Sequence, residues 1–78
     1  MTSHTPVADI ANNTVTVGDT TYAIQPLGGD SFVVMLVGVP VGRIVYTFGS
    51  ANGVPEGDAV TEDALTAIAE VWFAALDA

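Results

Sequence analysis

The chain has 78 residues, half of them hydrophobic, and it carries nine acidic side chains against one basic side chain, for a formal net charge of −8. This length allows one small domain, the high apolar content excludes an intrinsically disordered chain, and the absence of cysteine excludes disulfide bonds and thiolate chemistry. A single cation cannot neutralise a row of phosphates, so direct binding to nucleic acid or to an anionic membrane surface is not expected.

The N-terminal residues contain neither a positively charged segment nor a continuous apolar segment, so no secretory signal is predicted. The longest apolar stretch is interrupted by Gly38, Pro40, Gly42 and Arg43, and it falls short of the roughly 18–20 residues that a membrane-spanning helix needs. We therefore expect a cytoplasmic protein without a membrane segment.

Residues 1–12 show neither a helical nor a strand period, which predicts a flexible N-terminal arm before a single domain at residues 13–78. Residues 14–17 and 21–25 alternate between polar and apolar side chains, and Gly18-Asp19 between them suits a two-residue hairpin turn. The hairpin register places Val15 opposite Tyr22. One face of this hairpin is therefore apolar and the other is polar.

Residues 32–37 are apolar at every position, which predicts a strand that is buried on both faces. Residues 43–48 alternate, and a turn at residues 37–38 or 38–39 joins the two strands into a second hairpin. Either turn gives the same two faces. One face carries Phe32, Val34, Leu36, Arg43 and Val45, and the other carries Val33, Met35, Ile44, Tyr46 and Phe48.

Residues 49–58 are rich in Gly, Asn, Pro and Ser and are predicted to form a long loop. Thr61 is a suitable N-cap for a helix at residues 61–77, with Glu62 and Asp63 in its first turn. The apolar stripe of this helix comprises Leu65, Ile68, Trp72 and Leu76, with Phe73 at its edge. Three acids spaced seven residues apart lie opposite: Asp63, Glu70 and Asp77.

These elements predict an α+β fold, in which a four-stranded antiparallel sheet, a meander of two hairpins, packs one face against the C-terminal amphipathic helix. The second sheet face then stays uncovered, and an apolar patch of this kind usually marks an interface. We expect a second copy of the chain, or another protein, to bind there. The alternative is that the arm at residues 1–12 folds over this face. The candidate protein-binding residues are Phe32, Val34, Leu36, Arg43 and Val45.

No catalytic site, metal site or cofactor is predicted from the sequence. His4 is the only imidazole and has no neighbouring residue that would position it as a base. The acidic stretch around Glu56, Asp58 and Glu62 does not follow the spacing of a calcium loop. A minimal enzyme that uses these carboxylates is therefore only an alternative to a non-enzymatic binding module.

Residues 57–65, which follow a short antiparallel sheet, resemble the passage from strand to helix in HicB-type antitoxins. This resemblance implies a different function, that of an acidic inhibitor that caps a nucleic-acid-binding partner. Such an inhibitor acts through charge and should lose its partner as the salt concentration rises, whereas a dimer closed by apolar side chains should persist.

Overall fold

The computed structural model describes residues 5–77, which form six strands and one helix. The elements in chain order are β1 (Val7–Asp9), β2 (Thr14–Val17), β3 (Thr20–Gly28), β4 (Ser31–Leu36), β5 (Val39–Thr47), β6 (Ser50–Pro55) and α1 (Glu62–Leu76). All six strands belong to one antiparallel sheet in the order β1 to β6, so each strand pairs with its neighbour in the chain. The α+β class, the meander and the C-terminal helix are confirmed, but the expected number of four strands is wrong.

The first additional strand lies in the predicted flexible arm. Val7 pairs with Thr16 and Asp9 pairs with Thr14, which adds β1 to the edge of the first hairpin. The turn after β1 is closed by the carboxylate of Asp9, which accepts a hydrogen bond of 2.8 Å from the side-chain amide of Asn12. Residues 7–12 are therefore part of the sheet and its first turn, while residues 1–4 of the predicted arm lie outside the described residues.

The second additional strand, β6, lies in the predicted loop at residues 49–58. It pairs with β5 from Thr47 opposite Ser50 to Gly42 opposite Pro55. Apart from Val54, its residues have low intrinsic strand propensity, and their composition is more typical of turns. The packing of α1, described below, explains why a glycine-containing segment forms a strand at this position.

A β-bulge in β5 reverses the predicted faces of the second hairpin. Leu36 pairs with Val39 and Met35 with Pro40, as a turn at residues 37–38 requires, but Val34 pairs with Gly42. The extra residue is Val41, which is buried. Because side chains alternate with a period of two, one inserted residue moves every following side chain of β5 to the opposite face. Phe32, Val34 and Leu36 therefore share a face with Ile44, and not with Arg43 and Val45.

The helix α1 follows the sequence-based prediction, except that Leu76 of the predicted apolar stripe is exposed. The hydroxyl of Thr61 accepts a hydrogen bond of 3.2 Å from the amide of Ala64, so Thr61 is the N-cap. The buried side of the helix carries Leu65, Ile68, Ala69 and Trp72, and Val60 is buried just before the first turn. The helix packs against β5 and β6 near one edge of the sheet and also contacts β1 at the other edge. The sheet is consequently curled around the helix as a half-barrel.

Two glycines allow α1 to lie unusually close to the sheet. A Cβ atom on Gly53 of β6 would lie only 2.7 Å from the carbonyl carbon of Leu65 and from the amide nitrogen of Thr66. A Cβ atom on Gly42 of β5 would overlap the side chain of Leu65 and lie 2.9 Å from the carbonyl oxygen of Val54. The Gly53 amide also donates a hydrogen bond of 3.2 Å to the hydroxyl of Thr66. Only residues without a side chain permit this contact.

Two hairpin turns place a bulky residue in the left-handed region of the backbone. Val37 and Gly38 have φ values of 51° and 78°, and Phe48 and Gly49 have values of 53° and 78°. Two consecutive positive φ values are typical of type I′ turns, in which Asn-Gly is the favoured pair. Val37 is 93% exposed and Phe48 is fully exposed, so burial of the side chain does not offset the backbone strain at either residue.

We predict that Gly53→Ala destabilises the fold by about 3 kcal/mol, because the added methyl group meets the backbone of α1 and the helix must move away. Denaturant unfolding followed by circular dichroism measures this change. The neighbouring Asn52→Ala, on the exposed side of β6, is the matched control and should change the free energy of unfolding by less than about 0.5 kcal/mol. Equal effects of the two substitutions would contradict the close contact.

We also predict that Val37→Asn stabilises the protein by about 1 kcal/mol, because Asn tolerates positive φ far better than a β-branched residue does. For a domain of this size, that change corresponds to a rise in Tm of roughly 4–8 °C. The control Val37→Thr also introduces a polar side chain, but Thr is β-branched like Val, so the Tm of this variant should not rise. If both variants are stabilised alike, surface polarity and not backbone strain is the cause.

Candidate functional site

The outer face of the sheet is the convex side, which α1 does not cover. Of the five candidate residues, Arg43 and Val45 lie on this face, where Arg43 pairs with Val33 on one side and with Val54 on the other. Val34 is completely buried beneath the helix, and Phe32 and Leu36 pack against the same core. The expectation that these side chains lie on the open face with Arg43 and Val45 is wrong, and the bulge at Val41 is the reason. Val34 is buried, and Phe32 and Leu36 are only partly exposed on the helix side of the sheet.

The outer face carries a strip of apolar side chains around the only cation of the chain. We call it the outer strip, and it consists of Val33, Met35, Arg43, Val45 and Val54. Val54 is 43% exposed and Arg43 is exposed, whereas Val33, Met35 and Val45 are partly exposed. Strands β2 to β6 contain no acidic residue, because the nine acids lie in β1, the turns, the loop after β6 and the helix. The outer strip is therefore an apolar and locally positive surface on a strongly negative molecule.

A second surface feature lies at the end of the molecule where α1 terminates. It is a cleft of about 810 Å³ between the last two turns of α1 and two hairpin turns, β3–β4 and β5–β6. The volume is within the range of ligand-binding pockets. Its polar and charged boundary includes Asp30, Ser50, Asn52, Glu70 and Asp77.

Three aromatic rings form the apolar part of this cleft. Phe73 of α1 lies 5.5 Å from Phe32 and 5.2 Å from Tyr46, measured between ring centroids. Behind them Trp72 packs edge to face on Phe32 at 5.6 Å, and its buried indole N–H has no hydrogen-bond acceptor among residues 5–77. The backbone holds the cleft in place as well, since the amide of Tyr46 donates a hydrogen bond of 3.1 Å to the carbonyl oxygen of Asp30. The rings are consequently fixed by both helix and sheet.

The electrostatic character of the cleft is negative. Glu70, Phe73 and Asp77 follow the i, i+3, i+7 spacing that brings side chains to one side of a helix. The C-terminal end of a helix carries a partial negative charge, which Lys, Arg or His normally offsets. The last turn of α1 has no basic residue, and the C-cap is Asp77 itself. The helix end and the carboxylates therefore add to one another.

The other residues considered for chemistry do not form a site. Glu56, Asp58 and Glu62 are exposed and do not line the cleft, which is at the opposite end of α1. No group of three or more His, Asp or Glu side chains within residues 5–77 is arranged to hold a metal ion. His4 lies outside the described residues.

Sequence reasoning placed Arg43 and Val45 on the open face of the sheet, where the structure also has them, but it did not indicate the cleft. Asp77 and Phe73 could be recognised as neighbours on the helix, but the sequence did not indicate that the turns near Asp30 and Ser50 would face them. Comparisons of the chain with family models, with curated proteins and with solved structures gave no match. They add no support to the antitoxin resemblance of residues 57–65. Within residues 5–77, no helix combines the length and the apolar character that crossing a membrane requires.

Proposed function

We propose that this chain is a non-enzymatic protein-binding module that pairs with a second copy of itself through the outer strip. The observation that carries this proposal is the position of the apolar residues Val33, Met35, Val45 and Val54 around Arg43, on the sheet face that the helix leaves open. Apolar patches of this kind are typical of interfaces between proteins.

The charge distribution favours a second copy as the occupant. Two molecules that each carry a charge of −8 repel one another over most approach directions. The outer face of β2 to β6 is the exception, because its strands contain Arg43 and no acid. Contact through this face keeps the carboxylates of the two copies apart. Arg43 can lay its alkyl stem on the neighbouring valines and direct its guanidinium group to carbonyl or side-chain oxygens of the other copy.

We predict that Val54→Asp converts the dimer into a folded monomer, because it places a charge within the apolar contact, beside Arg43 on the edge strand β6. Sedimentation equilibrium of the full chain measures the association, and circular dichroism checks the fold. Thr21→Asp lies on the same sheet face in β3, outside the outer strip, and changes the net charge equally. This control should remain dimeric. A wild-type chain that is monomeric at millimolar concentration would refute the proposed function.

The salt dependence gives a further prediction. Raising the ionic strength from 0.1 to 1 M shortens the screening length from about 10 to about 3 Å, which weakens the long-range repulsion between two acidic copies. The Kd of the dimer should therefore decrease as salt is added. A Kd that increases with salt would indicate an association driven by attraction between opposite charges, which is what the alternative of an acidic inhibitor requires.

A further inference from the structure

We propose that the cleft at the C-terminal end of α1 binds the guanidinium or ammonium group of a basic segment of another protein. This inference concerns a different surface from the outer strip and does not depend on self-association. The cleft combines an aromatic base with carboxylates at its boundary, and each of these features favours an organic cation over a neutral or anionic ligand.

The aromatic base suits a flat or alkyl-bearing cation. The ring of Phe73 lies between those of Phe32 and Tyr46, with centroid distances of 5.5 and 5.2 Å. All three rings belong to residues that line the cleft. A cation over the face of an aromatic ring interacts favourably with its quadrupole, and Arg makes such contacts more often than Lys. The alkyl stem of either side chain can also cover exposed ring surface.

The charged boundary of the cleft has no cation of its own. Asp30 is on the β3–β4 turn, whereas Glu70 and Asp77 are about 10.5 Å apart along α1, so acidic residues border the cleft on both the sheet and the helix side. The uncompensated C-terminal end of the helix adds a further negative potential. The only cation of the chain, Arg43, lies on the outer face and is not among the cleft residues. A positive group from another molecule would supply the missing charge.

Phe48 favours a polypeptide as the source of this cation. It is fully exposed on the β5–β6 turn, immediately before Gly49 and Ser50, which line the cleft. Its φ of 53° is unfavourable for an aromatic residue, and none of the described residues 5–77 covers its ring. A free amine or guanidine is small enough to bind inside the cleft without contacting Phe48. A peptide with apolar residues beside its cation can contact Phe48 at the same time.

The test is a titration of the full-length chain, followed by ¹H–¹⁵N correlation spectra, with acetyl-Leu-Gly-Arg-Gly-Leu-amide. We expect shifts at the amides of Asp30, Tyr46 and Phe73 and at the indole N–H of Trp72, the only tryptophan. The same peptide with citrulline in place of Arg is uncharged and should bind at least about tenfold more weakly. Equal affinity for the two peptides, or the absence of shifts with both, would overturn the proposal.

Matched variants separate the cleft from the general negative charge. Glu70→Gln combined with Asp77→Asn removes two charges from the cleft and should weaken binding of the Arg peptide roughly tenfold. Glu56→Gln combined with Asp58→Asn removes two charges from the loop after β6, at the other end of α1, and should weaken binding less than about twofold. An equal loss of affinity in the two double variants would show that only the net charge matters, and it would overturn the proposed binding site.

A final comparison tests the polypeptide source. Phe48→Asn creates the favoured Asn-Gly turn, so the variant should fold, and it should bind the Arg peptide about fivefold more weakly. Its affinity for methylguanidine, which is too small to reach residue 48, should not change. If methylguanidine binds wild type as tightly as the peptide does, the cleft is a site for a free cation and the proposed protein partner is wrong.

Discussion

The close contact between α1 and the β5–β6 hairpin determines the rest of the structure. Leu65 is completely buried over Gly42 and Gly53. The hydroxyl of Thr66 accepts a hydrogen bond from the amide of Gly53, which lies on the edge strand of the sheet. This contact fixes the first half of the helix on one edge of the sheet. The second half then extends across the concave face, where Trp72 and Phe73 meet Phe32, and the helix also reaches β1. A single helix consequently fills the curl of a six-stranded sheet and leaves the convex face open.

The sequence predicted best those features that depend on local chemistry. The N-cap at Thr61 and the register of Val15 opposite Tyr22 follow from spacing and turn residues alone, and both are confirmed. The predicted stripe of α1 is confirmed at Leu65, Ile68 and Trp72, whereas Leu76 is 44% exposed. The strand β6 could not be predicted in this way. Gly53 is unfavourable for a strand when only propensity is considered, and it becomes necessary only when Leu65 approaches from above. The information that specifies β6 is therefore located in the helix as much as in the strand.

The error in the candidate binding residues has an equally specific origin. Between Val39 and Val45, Val41 is the one residue of β5 without a partner in β4. Residues before it pair in the register that the turn at residues 37–38 predicts. Residues after it are shifted by one position from that register. Pro40 precedes it and lacks the amide hydrogen that a regular ladder uses, so an irregularity at this point is physically reasonable. The pattern of β5 is apolar on both sides of the bulge, so hydrophobicity alone did not reveal the shift. Only Arg43 carried a distinct signal, because a lone cation is costly to bury among core side chains.

The positions of the charges connect the two proposed surfaces. In the sequence, the acids resemble the ordinary solvated residues of turns and of a helix face. In the structure, they are absent from β2 to β6 and are concentrated at the turns and along α1, where Asp30, Glu70 and Asp77 border the aromatic cleft. The separation that leaves the outer face free of acids also leaves the cleft negative at the end of the molecule. Phe48 lies at that end, and the fold itself offers nothing to offset its backbone strain. A contact with another molecule at the cleft provides a physical reason for an aromatic residue where Asn would stabilise the isolated chain.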